Sequence, residues 1–136
     1  MKRFTLGLSA ALLFTGLTAG IAFAAGPDTT YQDSSAGKVL ADAKGMTLYI
    51  FDNDAKGATM SSCTGKCIVN WPPFLAPADA TASGDWTVVD GKDKDGNAIK
   101  LWAYEGQPLY YWVNDKKPGD VDGDGKGGVW HVVKQD

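Results

Sequence analysis

The sequence predicts an all-β or β-rich fold: one small antiparallel domain built from two duplicated hairpin units, with one short helix over residues 63–70. Three observations carry this expectation. A ten-residue stretch occurs twice, as Gly45-Met46-Thr47-Leu48-Tyr49-Ile50-Phe51-Asp52-Asn53-Asp54 and as Gly106-Gln107-Pro108-Leu109-Tyr110-Tyr111-Trp112-Val113-Asn114-Asp115. Gly, Leu, Tyr, an aromatic residue and Asp fall at the same five offsets in both copies. Short β-branched and aromatic runs alternate with turns rich in Gly and Asp, the pattern of strands joined by tight connections. The stretch with helix boundary signals is brief, entered at Ser61-Ser62 and closed by Pro72-Pro73, because a proline pushes its predecessor out of the helical region.

Along the chain, residues 1–24 read as a cleaved signal peptide. Lys2 and Arg3 precede an uncharged run over residues 6–23, and Ala22-Phe23-Ala24 supplies a small-x-small cleavage site. The run is long enough for a membrane span, but Gly7, Gly16 and Gly20 interrupt it and no basic stop-transfer cluster follows. Residues 25–37 are polar and read as a flexible N-terminal arm. Residues 38–136 read as a single globular domain with two repeats, about 38–75 and 98–134. In the first repeat, residues 47–51 form a strand with Leu48 and Ile50 on one face and Tyr49 and Phe51 on the other. Both faces are apolar, so the strand is expected to be buried on both sides. In the second, residues 98–104, the tight turn Glu105-Gly106 and residues 109–113 form a hairpin. Residues 86–89 and 129–133 are further strands. A uniform offset of 61 aligns Leu40 with Leu101 and Gly45 with Gly106, and each copy is followed by a tryptophan, Trp71 or Trp130.

Charge excludes two classes of partner. The whole chain carries 13 basic against 16 acidic residues; removal of Lys2 and Arg3 with the signal leaves 11 against 16, a net charge of −5. Binding to nucleic acid or to an anionic membrane requires clustered Lys and Arg, and no Arg follows Arg3. The expected partner is an envelope protein or a glycan. The expected location is exported, periplasmic or extracellular, in soluble form with no membrane anchor after cleavage.

Candidate chemistry concentrates in two places. Cys63 and Cys67 are the only cysteines, and an even count in an exported chain points to a disulfide. Thiol redox chemistry, or a soft-metal site formed by Cys63, Cys67, His131 and Met60, stays open beside it. The run Asp120-Val121-Asp122-Gly123-Asp124-Gly125 begins like a calcium loop. His131 stands where an EF-hand requires Glu, so the candidate is a calcium site of another kind formed by Asp115, Asp120, Asp122 and Asp124. The alternative is a solvated turn held by local side-chain hydrogen bonds. Asp54 and Asp115 are equivalent by repeat, which argues for matching structural jobs, accepting backbone N–H bonds at a turn, over a catalytic pair. His131 alone supports no triad, and no catalytic residue is assigned.

The pattern G-x-x-L-Y-x-F-x-x-D (Gly45, Leu48, Tyr49, Phe51, Asp54), then C-x-x-x-C-x-x-x-W-P-P, then G-x-P-L-Y-x-[FW]-x-x-D (Gly106, Leu109, Tyr110, Trp112, Asp115) and a terminal G-D…G…W-x-V-V resembles the bacterial "secreted repeat of unknown function" family. Its members are also described as lipoproteins with a Tyr-x-aromatic-x-x-Asp motif. The resemblance covers residues 39–133. Two departures stand out: this chain lacks a lipid-anchor cysteine, and Leu101 occupies a position where relatives tend to carry Gln. The resemblance implies export and a small β-rich domain, and brings no established activity, cofactor or catalytic residue. The sequence therefore points to an exported non-enzymatic module that binds a partner or supports the envelope. A periplasmic redox or metal-handling protein using Cys63 and Cys67, and a calcium-stabilised interaction module, are the alternatives.

Overall fold

Residues 26–136 are described by the structure, a computed structural model; residues 1–24, expected to be a signal peptide, lie outside the described residues. The elements are β1 (Thr29–Ser34), β2 (Gly37–Asp42), β3 (Tyr49–Phe51), α1 (Lys66–Asn70), β4 (Trp86–Lys92), β5 (Ala98–Tyr104), β6 (Gln107–Pro108) and β7 (Trp130–Val132), with one 3-10 turn at Lys126–Gly128. Every strand pair is antiparallel: β1 with β2, β3 with β7, and β4-β5-β6 in that order. The helix is shorter than the sequence predicts. Its N-cap is Gly65 with no side-chain cap, because the two serines expected to cap it serve elsewhere, as described below.

The polar stretch expected to be a loose arm is instead β1, registered on β2 from Thr29↔Asp42 to Ser34↔Gly37. Its side chains are half-buried or exposed. Threonines and a tyrosine suit a half-covered strand, and the pairing surface comes from β2, which no local pattern within residues 29–34 reports.

Each repeat is thus a three-strand meander. β1 and β2 continue through a bridge between Ala41 and Thr47 into the segment bearing β3; β4 and β5 continue through Ala103↔Pro108 into the segment bearing Tyr110. These pairings correct the uniform alignment. Thr47 and Pro108 are 61 apart, whereas Ala41 and Ala103 are 62 apart. Leu40 therefore corresponds to Trp102, and Val39 to Leu101. A one-residue slip in a strand exchanges its faces, and the core bears the correction out: Val39 and Leu101 lie in one apolar cluster, Leu40 and Trp102 in the other. The extra residue sits in the first turn, where the Asp42 carboxylate accepts from the amides of Lys44 and Met46. The second turn is a two-residue connection with Glu105 (φ 49°) and Gly106 (φ 84°) both left-handed, the conformation whose twist matches the flanking strands.

The expected two-sided burial of residues 48–51 holds. Tyr49 and Phe51 enter one cluster, while Leu48 and Ile50 face the other. In the first cluster four rings follow one another, the first three stacked and the fourth tilted by 35°. Phe51 lies on Trp130 at 4.2 Å, Trp130 on Trp71 at 3.7 Å, and Trp71 on Trp112 at 4.3 Å. Phe51 and Trp112 are repeat equivalents, as are Trp71 and Trp130, so the order of equivalent positions is the same from either end, although the Trp112 end is the more tilted. Tyr49 meets Trp71 edge-on and Tyr110 meets Trp130 edge-on, at 5.4 and 5.3 Å. Each such pair is worth about 0.5–1.5 kcal/mol beyond its buried area.

Candidate functional site

The repeated tyrosines sit side by side at the centre. The amide of Tyr49 donates to the carbonyl of Tyr110 at 2.8 Å and the amide of Tyr110 returns the bond to Tyr49 at 3.0 Å. Both residues are wholly buried. Their hydroxyls then cross between the copies. Tyr49 donates to Asp115 Oδ2 and Tyr110 donates to Asp54 Oδ2, each at 2.6 Å. Neither tyrosine pairs with the aspartate of its own motif.

The other carboxylate oxygens accept locally. Asp54 Oδ1 takes the amide and hydroxyl of Ser62 at 2.7 and 2.6 Å, and Asp115 Oδ1 takes the amide of Asp122 at 3.0 Å. The expected backbone N–H acceptance is present in both copies, with a cross-copy bond added. Ser61 shares a 2.5 Å hydrogen bond with the Tyr110 hydroxyl, and the amide of Gly123 donates to the Tyr49 hydroxyl at 3.2 Å. Burial, then the neighbouring carboxylate, pushes the ionisation of both phenols far above the usual tyrosine range. Asp115 is raised above the usual carboxylate value, first by burial. With Asp54 only 3 % and Asp115 7 % exposed, these pairs are closed to any substrate and act as locks between the two halves.

The remaining candidates are distributed as follows. Cys63 and Cys67 form a disulfide, with Cα atoms 5.2 Å apart, across the turn that enters α1. His131 Nε2 lies 2.8 Å from Asp52 Oδ2 on an exposed surface, tying β7 to the turn after β3. Met60 is exposed and bridges Asp90 of β4 in parallel register. Asp115, Asp120 and Asp122 bring carboxylate oxygens within 4.8 Å of one another. Asp120 already accepts from Lys117 Nζ at 2.8 Å and from the amides of Lys116 and Lys117, which hold it below the usual range. Asp124 turns away, accepting from the amide of Val132.

One feature had no sequence signal. A groove of about 450 Å³ is lined by Ile68, Val69, Pro73, Leu75 and Ile99, with Asp93, Lys94 and Asp95 at its rim. It shares Leu75 and Ile99 with a neighbouring hollow of about 350 Å³ that reaches Ala76, Ala98 and Lys100. Leu75 is 58 % exposed and Val69 50 %. The groove forms because the tail of the first repeat lies on the second: Leu75 bridges Leu101, and the amide of Ala76 donates to the carbonyl of Lys100. A third hollow, about 430 Å³, has Phe74, Trp102 and Tyr111 in its wall, but Phe74 and Trp102 are themselves buried.

The model of a family described as "secreted repeat of unknown function" matches residues 30–74 and 91–134, more than half of the chain. No curated protein and no solved structure matches the chain. Among the described residues, no helix is long and apolar enough to cross a membrane.

Proposed function

The chain belongs to the secreted-repeat family of unknown function, and from that premise we propose that it is a non-enzymatic exported module, held in the periplasm after removal of residues 1–24, which binds an extended segment of another exported protein in the groove around Leu75. Residues 29–136, with β1 included, act as the single binding domain. The observation that carries the reading is the exposure of Leu75 and Val69 in a largely aliphatic groove that shares Leu75 and Ile99 with the hollow beside it, since contiguous exposed apolar surface marks an interaction site more often than an isolated exposed residue does. The polar groups able to do chemistry are meanwhile committed to the fold, as buried Tyr–Asp locks and a disulfide.

The lining favours a peptide over a glycan. Sugars are held by exposed aromatic faces, and no ring lines the groove at Leu75. The lining carries Asp90 paired with Lys100, Asp95 paired with Lys94 and, among the described residues, Asp93 without a lysine partner. That leaves one negative charge in excess, so the segment that fits presents aliphatic side chains with a basic residue beside them.

The test is selection of a displayed random peptide library on the folded protein, with counter-selection on Leu75→Asp. Enrichment of aliphatic peptides with an adjacent Lys or Arg, bound by the wild type and released by the variant, is the expected outcome. Peptides that bind both proteins equally, or no enrichment, would remove the groove as the binding face.

A further inference from the structure

The two repeats are not neighbouring subdomains. Each completes the other. The tail of the first repeat pairs with the second hairpin, with Pro73 bridging Tyr110 and Leu75 bridging Leu101. The tail of the second pairs with the first, with β7 on β3 and Lys134 bridging Val39. The equivalence extends to single hydrogen bonds: Ala76 N donates to Lys100 O, and Gln135 N to Lys38 O. The tyrosine hydroxyls cross in the same way.

A half without its partner would expose both faces of its central strand to water and lose the crossed Tyr–Asp bonds, so the apolar burial shared by the two clusters would be lost with it. The halves are joined on the surface by residues 77–85, which lie in the gap between the two family matches at 30–74 and 91–134. The disulfide closes within one half, so it does not tie the halves together.

We propose that each half is the specific ligand of the other, and that a second copy of this chain can therefore supply it. Two chains exchange halves, both composite units keep every contact described above, and only the path of residues 77–85 changes. This is the isologous exchange by which duplicated folds dimerise at low cost. In the single chain the tether keeps the local concentration of the partner half high, and the closed monomer wins. Shortening the tether removes that advantage.

The experiment uses full-length mature chains with the native disulfide intact. Val39→Cys and Lys134→Cys are placed in separate chains. The two positions face each other across the halves, and the flanking bonds Leu40 N to Val133 O and Gln135 N to Lys38 O make them a non-hydrogen-bonded pair, in which side chains approach closest. The chains are mixed, unfolded in urea without reductant, refolded together at high concentration and oxidised, with and without deletion of residues 78–81. Exchange gives a covalent dimer in the mixture, several-fold more of it with the short linker, and none from either chain alone. A mixture in which both chains refold and stay uncrosslinked would overturn the proposal, as would equal dimer from Lys134→Cys alone. Leu75→Cys with Leu101→Cys, the equivalent pair on the other side, repeats the test should Val39→Cys fold poorly.

Discussion

Crossing of the Tyr–Asp bonds makes a prediction that an uncrossed arrangement contradicts. Tyr110→Phe removes one hydroxyl and leaves the Asp54 carboxylate, 3 % exposed, with only the two donors of Ser62. A hydrogen bond to a charged group contributes about 1.5–3 kcal/mol, and loss of one partner of a buried pair falls at the upper end. The single variant is therefore expected to lose about 3 kcal/mol. A double-mutant cycle of Tyr110→Phe with Asp54→Ala should return a coupling energy of about 2 kcal/mol, and Tyr49→Phe with Asp115→Ala should return a similar value by repeat equivalence. The within-motif pairs, Tyr49 with Asp54 and Tyr110 with Asp115, should couple by less than about 0.5 kcal/mol. Urea unfolding followed by tryptophan fluorescence reads these terms. A slope of roughly 1.5 kcal/mol per molar turns the single-variant loss into a midpoint shift of about 2 M. Coupling larger within the motifs than across them would refute the crossed lock.

Further expectations follow from the same geometry. Asp115 is raised above its unfolded value, so the folded state holds the proton more tightly and stability falls as pH rises through the window between the two values. The stability difference between wild type and Asp115→Asn, measured by urea unfolding from about pH 3.5 to 7, should accordingly move against the wild type as pH rises, and a difference moving the other way would refute the burial effect. Tyr49, Tyr110 and Tyr111 are all pushed above the ordinary phenol range by burial first; ultraviolet titration should show these three ionising only as the protein unfolds at high pH. Gly123→Ala places a Cβ 2.8 Å from Trp71 and 3.0 Å from Trp112, against stacked rings that cannot yield, and should cost about 1–3 kcal/mol by thermal unfolding. Replacing both cysteines by Ser opens a loop with a separation of 4 and should cost about 2 kcal/mol, again read by urea unfolding.

Much of this architecture is legible along the chain. The recurrence of Gly, Leu, Tyr, aromatic and Asp marks two equivalent segments, and the doubly apolar face of residues 48–51 marks the first as central. The strand expected over residues 109–113 is instead the two-residue β6 followed by a single bridged position at Tyr110, because the chain there pairs with β3 and with Pro73 one residue at a time. The tight turn at Glu105-Gly106 and the tryptophan after each copy also stand where the pattern places them. Three things do not show. The strand β1 is written in polar residues because half its surface stays wet. The inserted residue in the first turn disturbs nothing in the motif that follows it, so a single offset fits the sequence while the strands before the turns are out of step by one. Ser61 and Ser62 have the chemistry of a helix cap, and a buried Tyr110 hydroxyl and Asp54 carboxylate, distant in sequence, outcompete the helix for them.

By itself the sequence determined the composition of each unit: its turns, its alternating faces, its duplicated Tyr and Asp, and two cysteines close enough to bond. Local chemistry suffices for these, because turn conformation and strand faces depend on residues a few positions apart. Only the tertiary structure decided which copy completes which. A tyrosine carries no mark that sends its proton to the aspartate 66 positions away and not to the one five positions away. That choice belongs to the packing, which sets the two tyrosines back to back, aims each hydroxyl into the opposite half, and in laying one tail over the other repeat opens the groove at Leu75.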